Sequence, residues 1–234
     1  MYSEREVDGD RILWRSASGA STVIPADGCL DVILHDDVVR VAGPSTRWLQ
    51  TRADGDTPTI GIRFAPGAAN ALLGIALAEL RDDDVLAADV LGRRAAARIA
   101  DQLRRSARSS FIGTDALTVD VPDWVAAVRR SARLAQPVSA LITELGWSER
   151  RLRRGMSATF GYGYATLVRL ERARRAQALL TRGASLADAA FRAGYADQPH
   201  LTREFDRLVG ITPGQFAAAA KRSIELPSGS STVA

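Results

Sequence analysis

Ser185-Leu-Ala-Asp-Ala-Ala-Phe-Arg-Ala-Gly-Tyr-Ala-Asp-Gln-Pro-His-Leu-Thr-Arg-Glu-Phe205, followed by Gly210-Ile-Thr-Pro-Gly-Gln-Phe216, decides the fold of the C-terminal half of this chain. Ser185 suits an N-cap, where a side-chain oxygen accepts from the free backbone N–H groups of a first turn. Leu186, Ala189 and Ala190 supply one packing face, and Gly194 ends the helix. A second helix begins near Asp197, with Leu201, Phe205 and Leu208 turned inward at helical spacing. Gln198, His200, Thr202 and Arg203 remain for a groove or the domain surface. Thr212 and Pro213 then open a further helix as N-cap and first helical residue, anchored by Phe216. Two short helices joined through a glycine turn form a helix-turn-helix unit.

The same logic occurs once before. Val138, Leu141, Ile142 and Leu145 fall at i, i+3, i+4 and i+7, and Gly146 terminates that helix. Ser148 caps the next, with Glu149 placed favourably for the helix dipole. Leu152, Met156 and Phe160 define its buried side, which leaves Arg150, Arg153 and Arg154 outward. Trp147 reads as an anchor of the turn. Between the units, residues 165–181 read as one helix with Leu167, Leu170, Ala173, Ala176, Leu179 and Leu180 apolar. At 1.5 Å per residue such a helix spans roughly 25 Å. Helices carried at its two ends can then reach successive major grooves, which recur about every 34 Å.

Charge agrees with this division. Residues 1–122 hold 14 Arg against 18 Asp and Glu, and residues 123–234 hold 17 Arg and Lys against 9, so the halves carry −4 and +8. A basic surface displaces counterions from a phosphate backbone. Position, not arginine abundance, assigns base contacts: arginine donates two bonds to guanine O6 and N7, glutamine pairs with adenine, and arginines that miss the bases bind phosphate.

The N-terminal half reads differently. Residues 12–14, 21–24, 29–34, 38–42 and 59–64 are short β-type runs separated by turn residues such as Pro25-Ala-Asp-Gly28 and Gly43-Pro44, the pattern of a small antiparallel sheet or partial barrel. After Pro66-Gly67 two helical stretches are expected, over 68–80 and from about Val85 to Arg105, the second either covering the sheet or pairing with another subunit. Periodicity fades over 106–121. The expected organisation is a β-rich sensor or dimerisation domain over 1–110, a linker over 111–121, an all-α domain over 122–217, and a tail over 218–234 whose end is disordered. The fold class is α+β.

The motifs Leu145-Gly-Trp-Ser-Glu-Arg-Arg-Leu-Arg-Arg154, Phe160-Gly161, Arg172, Ala176, Gly194 to Phe205 and Gly210 to Phe216 resemble the C-terminal DNA-binding domain of the AraC/XylS family of transcriptional regulators, over about 95 residues. The resemblance implies two recognition helices, base contacts from Arg150, Arg153 and Arg154, and weaker or phosphate contacts from the second helix. One departure is Gly161-Tyr-Gly-Tyr164, where the family carries Gly-x-Ser-Pro, so the start of the connecting helix is open. The N-terminal half looks like the small β-rich, cupin-like sensor domain of some such regulators; it would bind an effector, mediate dimerisation, or both, and the regulator would contact RNA polymerase.

Competing readings are narrower. The single cysteine, Cys29, excludes an intrachain disulfide and a thiolate-rich zinc site, and reads as a small buried residue. A metal-dependent cupin enzyme needs a histidine cluster, yet only His35 and His200 exist. A DNA-repair alkyl acceptor needs further reactive cysteines. The chain is therefore expected to be a non-enzyme without cofactor or metal, cytoplasmic and without a membrane span or signal-peptide core. Its site set is Ser148, Arg150, Arg153, Arg154, Gln198, His200, Thr202 and Arg203. For His200 the alternative is an ordinary surface histidine, and for Arg203 an ion pair with Asp206. Trp14, Trp48, Arg63 and Phe64 fit either an effector pocket or packing. The competing function is a protein-interaction module whose basic helices bind an acidic partner.

Overall fold

The computed structural model describes residues 2–16, 23–51, 57–108, 117, 118 and 120–225. Six strands form one antiparallel sheet: β1 (Tyr2–Asp8), β2 (Arg11–Ser16), β4 (Leu30–His35), β5 (Val38–Ala42), β7 (Thr59–Phe64) and β8 (Asp84–Leu86), in the order β1-β2-β7-β4-β5-β8. β3 (Val23–Ile24) and β6 (Leu49–Gln50) make a separate two-stranded ribbon. Register aligns Leu13, Ile62, Val32 and Val41 in one row across four strands, and all four are buried. Period-2 alternation puts Trp14, Gly61 and Ile33, and next to them Arg63 and Asp31, on the opposite face.

The apolar face is covered by helices, though not quite those expected. The stretch 68–80 is α1 (Asn70–Leu73) and a turn of 3₁₀ helix (Leu77–Leu80), separated at Gly74, whose φ of +67° takes the chain out of the helix. The second stretch divides likewise: β8, then α2 (Ala87–Leu91), then α3 (Arg93–Arg108) beyond Gly92 at φ +80°. Leu86 accordingly lies exposed on the edge strand rather than in a helical stripe. Ile99, Ala100 and Leu103 of α3 are buried against the sheet core. β1 is a strand that charge and polarity conceal: its residues alternate without an apolar face, and it is held by backbone pairing to β2 as a charged edge.

The helical half comprises α4 (Asp123–Arg133), α5 (Val138–Leu145), α6 (Glu149–Phe160), α7 (Tyr164–Thr181), α8 (Leu186–Ala193), α9 (Gln198–Val209) and α10 (Pro213–Glu225). α7 is the axle. Leu167, Leu170, Ala173, Ala176, Leu179 and Leu180 are all buried, and one continuous core around them takes in Leu141, Leu152, Met156 and Phe160 from one side and Ala189, Ala190, Leu201 and Phe205 from the other. α7 starts at Tyr164 after Gly163, with no side-chain cap, which resolves the helix start that the missing proline left open. Most of the stretch expected as a linker, and the end of the tail, lie outside the described residues.

The two halves are joined by specific contacts. The Tyr162 hydroxyl donates to the Gly28 carbonyl at 3.1 Å, the Ala26 N–H donates to the Leu208 carbonyl at 2.7 Å, and Arg129 donates to the Pro66 carbonyl at 2.6 Å while pairing with Asp10. Tyr162 belongs to the segment Gly161-Tyr-Gly-Tyr164, so the departure from the family pattern is one of the places where the helical half meets the β half. A Cβ at Gly161 would stand 2.8 Å from the Leu77 carbonyl oxygen, so nothing larger than glycine fits this approach.

Candidate nucleic-acid interface

Each unit is built by local chemistry. In the first, α5 ends at Gly146 and Ser148 accepts from the Arg151 N–H at 3.2 Å, which starts α6. In the second, Ser185 accepts from the Asp188 N–H at 3.1 Å to start α8, and the Asp197 carboxylate accepts from the His200 N–H at 2.6 Å to start α9. Thr212 and Gln215 exchange bonds at the head of α10, Thr212 N–H to Gln215 Oε1 at 2.9 Å and Gln215 N–H to Thr212 Oγ1 at 3.3 Å, a reciprocal capping box. Phe216 packs edge-on against Phe205 at 5.5 Å. α6 and α9 are 12 residues each, and α7 between them has 18, about 27 Å of helix.

On α6, Leu152, Met156 and Phe160 are buried, whereas Arg150, Arg153 and Arg154 are exposed. Arg153 pairs with Glu149 at 3.3 Å, with both side chains 73% exposed, a contact that water weakens and that a stronger anion can replace. Neither Arg150 nor Arg154 has an ion-pair partner among the described residues. Arg151, the fourth arginine of the run, is directed elsewhere: its guanidinium lies 4.3 Å from the centre of the Trp147 ring, which in turn packs on Trp124 at 5.1 Å. Trp147 is thus an anchor between turn and core.

On α9 the four singled-out residues are not equivalent. Gln198 and Arg203 are exposed, and no ion pair links Arg203 to Asp206. Thr202 donates its hydroxyl to the Gln198 carbonyl at 3.0 Å. His200 is half-buried, packs on Tyr195 at 5.3 Å and accepts the Ala196 N–H at Nδ1, so its ring closes the turn. Arg172 on α7 is half-buried beside Gly194, its Nε without a hydrogen-bond partner among the described residues, and Arg175 donates to the Ala193 carbonyl at 3.1 Å. Sequence reading missed Ala26, Gly28 and Tyr162 as residues that carry the β half onto these helices, whereas Trp48, read as pocket or packing, lies against Gly210. Only the unusual Gly161-Tyr-Gly-Tyr164 signalled them.

Among the described residues no group of three His, Cys, Asp or Glu could hold a metal ion. Burial pushes the Cys29 thiol well up, with the Asp27 charge adding to it, so the sulfur stays protonated. Among the described residues no helix is long and apolar enough to cross a membrane.

Two capped helix-turn-helix units on one axle, joined to a β-rich half, define a DNA-binding transcription regulator. Residues 141–219 match the family model described as a helix-turn-helix domain, and residues 11–86 match that of a domain of unknown function, DUF6597. The chain carries an AraC-type helix-turn-helix domain at its C-terminal end, behind that second domain. No curated protein sequence matches it. Among solved structures it is similar to ToxT from Vibrio cholerae, at 11% identity and a TM-score of 0.48, covering 93% of this chain and 98% of ToxT. It is also similar to the xylose-binding transcription activator XylR, at 16% identity and a TM-score of 0.39, covering 59% of this chain and 40% of XylR.

Proposed function

We propose that the chain binds specific sequences of double-stranded DNA with α6 and α9 in successive major grooves, and that Arg150, Arg153 and Arg154 read base edges while Ser148, Gln198, His200, Thr202 and Arg203 dock the two units. The carrying observation is that Arg150 and Arg154 project exposed from a capped helix without an ion-pair partner among the described residues, so their donors are available for guanine or phosphate. Because the Nδ1 of His200 and the hydroxyl of Thr202 already serve the domain itself, α9 contributes chiefly through Gln198 and Arg203. In this reading residues 1–110 are the sensor or dimerisation domain, 111–121 the linker and 122–217 the DNA-binding domain. A small-molecule effector bound by the β half controls the regulator, which acts on RNA polymerase as activator or repressor without catalysis.

Selection of bound duplexes from a random pool, repeated with Arg154→Ala and at several salt concentrations, tests this. A base contact predicts an enriched motif and a loss of about 1 to 3 kcal/mol at one position of it. Equal weakening on every duplex would mean phosphate contact only, and no enrichment at all would favour an acidic protein partner.

A further inference from the structure

The turn that leads into α9 is flanked by three arginines of α7. Arg169 Nε donates to Glu204 Oε2 at 2.7 Å, and Arg175 donates to the Ala193 carbonyl at 3.1 Å and to the Arg133 carbonyl, so both are engaged. Arg172, between them in the helix, is not. Its buried Nε has no hydrogen-bond partner among the described residues, and the rest of its guanidinium makes no hydrogen bond or ion pair there. A Cβ on Gly194 would stand 3.6 Å from Arg172 Nε and 4.0 Å from Arg175 Nη1, which sets both guanidiniums against this turn. Tyr195, the next residue, is 7% exposed, and its hydroxyl is likewise buried without a partner. Acting on that hydroxyl are one carboxylate, Glu204, and three guanidiniums, Arg172, Arg169 and Arg175. The local charge is therefore positive, and the one carboxylate is already taken by Arg169. A half-buried guanidinium without a counter-charge is costly, and an oxyanion supplies both charge and acceptors.

The position of Arg172 selects the oxyanion. Leu167, Leu170, Glu171, Arg174 and Gln177 line the side of α7 that faces the β half. At 3.6 residues per turn, Arg172 lies about 200° around the helix from Leu170, on the side away from the β half. The β half touches the trailing ends of both recognition helices: the Ala26 N–H donates to the Leu208 carbonyl near the end of α9, and Gly28 accepts from Tyr162, two residues beyond α6. Their leading ends, which in such units enter the groove, therefore point away from it. Arg172 shares that side, next to the residues that open α9. With α6 and α9 in successive major grooves, the duplex between the grooves passes alongside α7, and its phosphates are the oxyanions within reach.

We propose that Arg172 holds a backbone phosphate of the DNA between the two major grooves, its Nη groups donating to the phosphate oxygens from the middle of the axle. The proposal rests on the preceding reading of α6 and α9 as recognition helices and adds a contact that carries no sequence information. Because α7 bears one unit at each end, a phosphate held at its middle fixes the register of both helices at once.

Binding of the full chain to the selected duplex and to a scrambled one, measured over a range of salt concentrations, tests the contact. Arg172→Gln is expected to weaken both duplexes alike and to make the slope of log K against log salt shallower by about 0.9, with the enriched motif unchanged, and Arg172→Lys to restore the slope. Both variants are first melted without DNA, so that folded proteins are compared. Should Arg172→Gln not fold, the natural chain is bound to duplexes in which each phosphate in turn is replaced by a methylphosphonate, and a phosphate between the two halves of the motif is expected to matter. An unchanged slope in folded Arg172→Gln, a slope that lysine does not restore, or no sensitive phosphate between the half-motifs would overturn the proposal. So would melting in which inorganic phosphate stabilises the natural chain but not Arg172→Gln while the DNA slope stays the same, since the site would then serve a free anion. A shallower slope on every duplex with no enriched motif leaves the phosphate contact standing and removes base reading, whereas an enriched motif with an unchanged slope does the reverse.

Discussion

The Tyr162 hydroxyl lies 3.1 Å from the Gly28 carbonyl oxygen, a buried hydrogen bond between residues 134 positions apart in the chain. Gly28 has φ of +71°, and a Cβ there would stand 2.2 Å from that hydroxyl. The bond therefore depends on a glycine on one side and a tyrosine on the other.

Tyr162→Phe leaves the Gly28 carbonyl without its donor and should cost about 1 to 2 kcal/mol. Gly28→Ala should cost more, because it combines left-handed strain with overlap on the ring. Urea denaturation of the two variants checks the order. A neutral Tyr162→Phe would show that the bond does not hold the two halves together.

Ser148 caps α6 through the Arg151 N–H, so Ser148→Ala should lower stability by about 1 kcal/mol and Ser148→Gly by only a few tenths. Thermal melting of the pair is the check. Equal losses would point to a role for the hydroxyl other than capping.

Arg151 and Arg154 are three residues apart in one helix, yet one stacks on Trp147 and the other has no ion-pair partner among the described residues. Arg151→Ala should lose about 0.5 to 1 kcal/mol of stability and leave base preference intact. Arg150→Ala and Arg154→Ala should leave stability unchanged and relax base preference. Parallel melting curves and duplex selection on the three variants measure both effects, and altered preference in Arg151→Ala alone would reverse the assignment.

Asp31 accepts from Trp14 Nε1 at 2.6 Å and from Arg63, yet burial raises its carboxyl to about 6. The folded state therefore binds this proton more tightly than the unfolded chain, whose aspartate titrates near 3.9. Stability contributed by this group is present below about pH 4 and is lost as pH rises toward 6. Asp31→Asn cannot titrate, so the stability of the natural chain relative to the variant should fall across pH 4 to 6, by roughly 2 kcal/mol. Denaturation at pH 4 and 7 reads the difference directly; a constant difference would mean that Arg63 holds the carboxylate ionised throughout.

The helical half was legible because its signals are local. A cap residue, an apolar residue every third or fourth position and a terminating glycine lie within one or two turns of each other, so Ser148, Ser185, Gly146 and Gly194 could be assigned without any knowledge of their neighbours in space. The sheet was half legible: β4, β5 and β7 carry an apolar face, whereas β1 is polar along its length and becomes a strand only because β2 offers it a free edge. Helix interruptions at Gly74 and Gly92 were hidden because the apolar residues on either side keep an approximate helical period.

By itself the sequence determined two capped helix-turn-helix units, the axle between them and the outward arginine face of α6, since each follows from spacing within a single helix. Only the tertiary structure decided that Arg151 belongs to Trp147, that Arg63 sits among the carboxylates Glu4, Asp27 and Asp31, and that residues 26–28 reach the trailing ends of both α6 and α9. The physical reason is distance along the chain. Capping and amphipathic periodicity act over a few residues, whereas these contacts join segments tens to more than a hundred residues apart, and no local pattern announces which partner burial will bring to a given side chain.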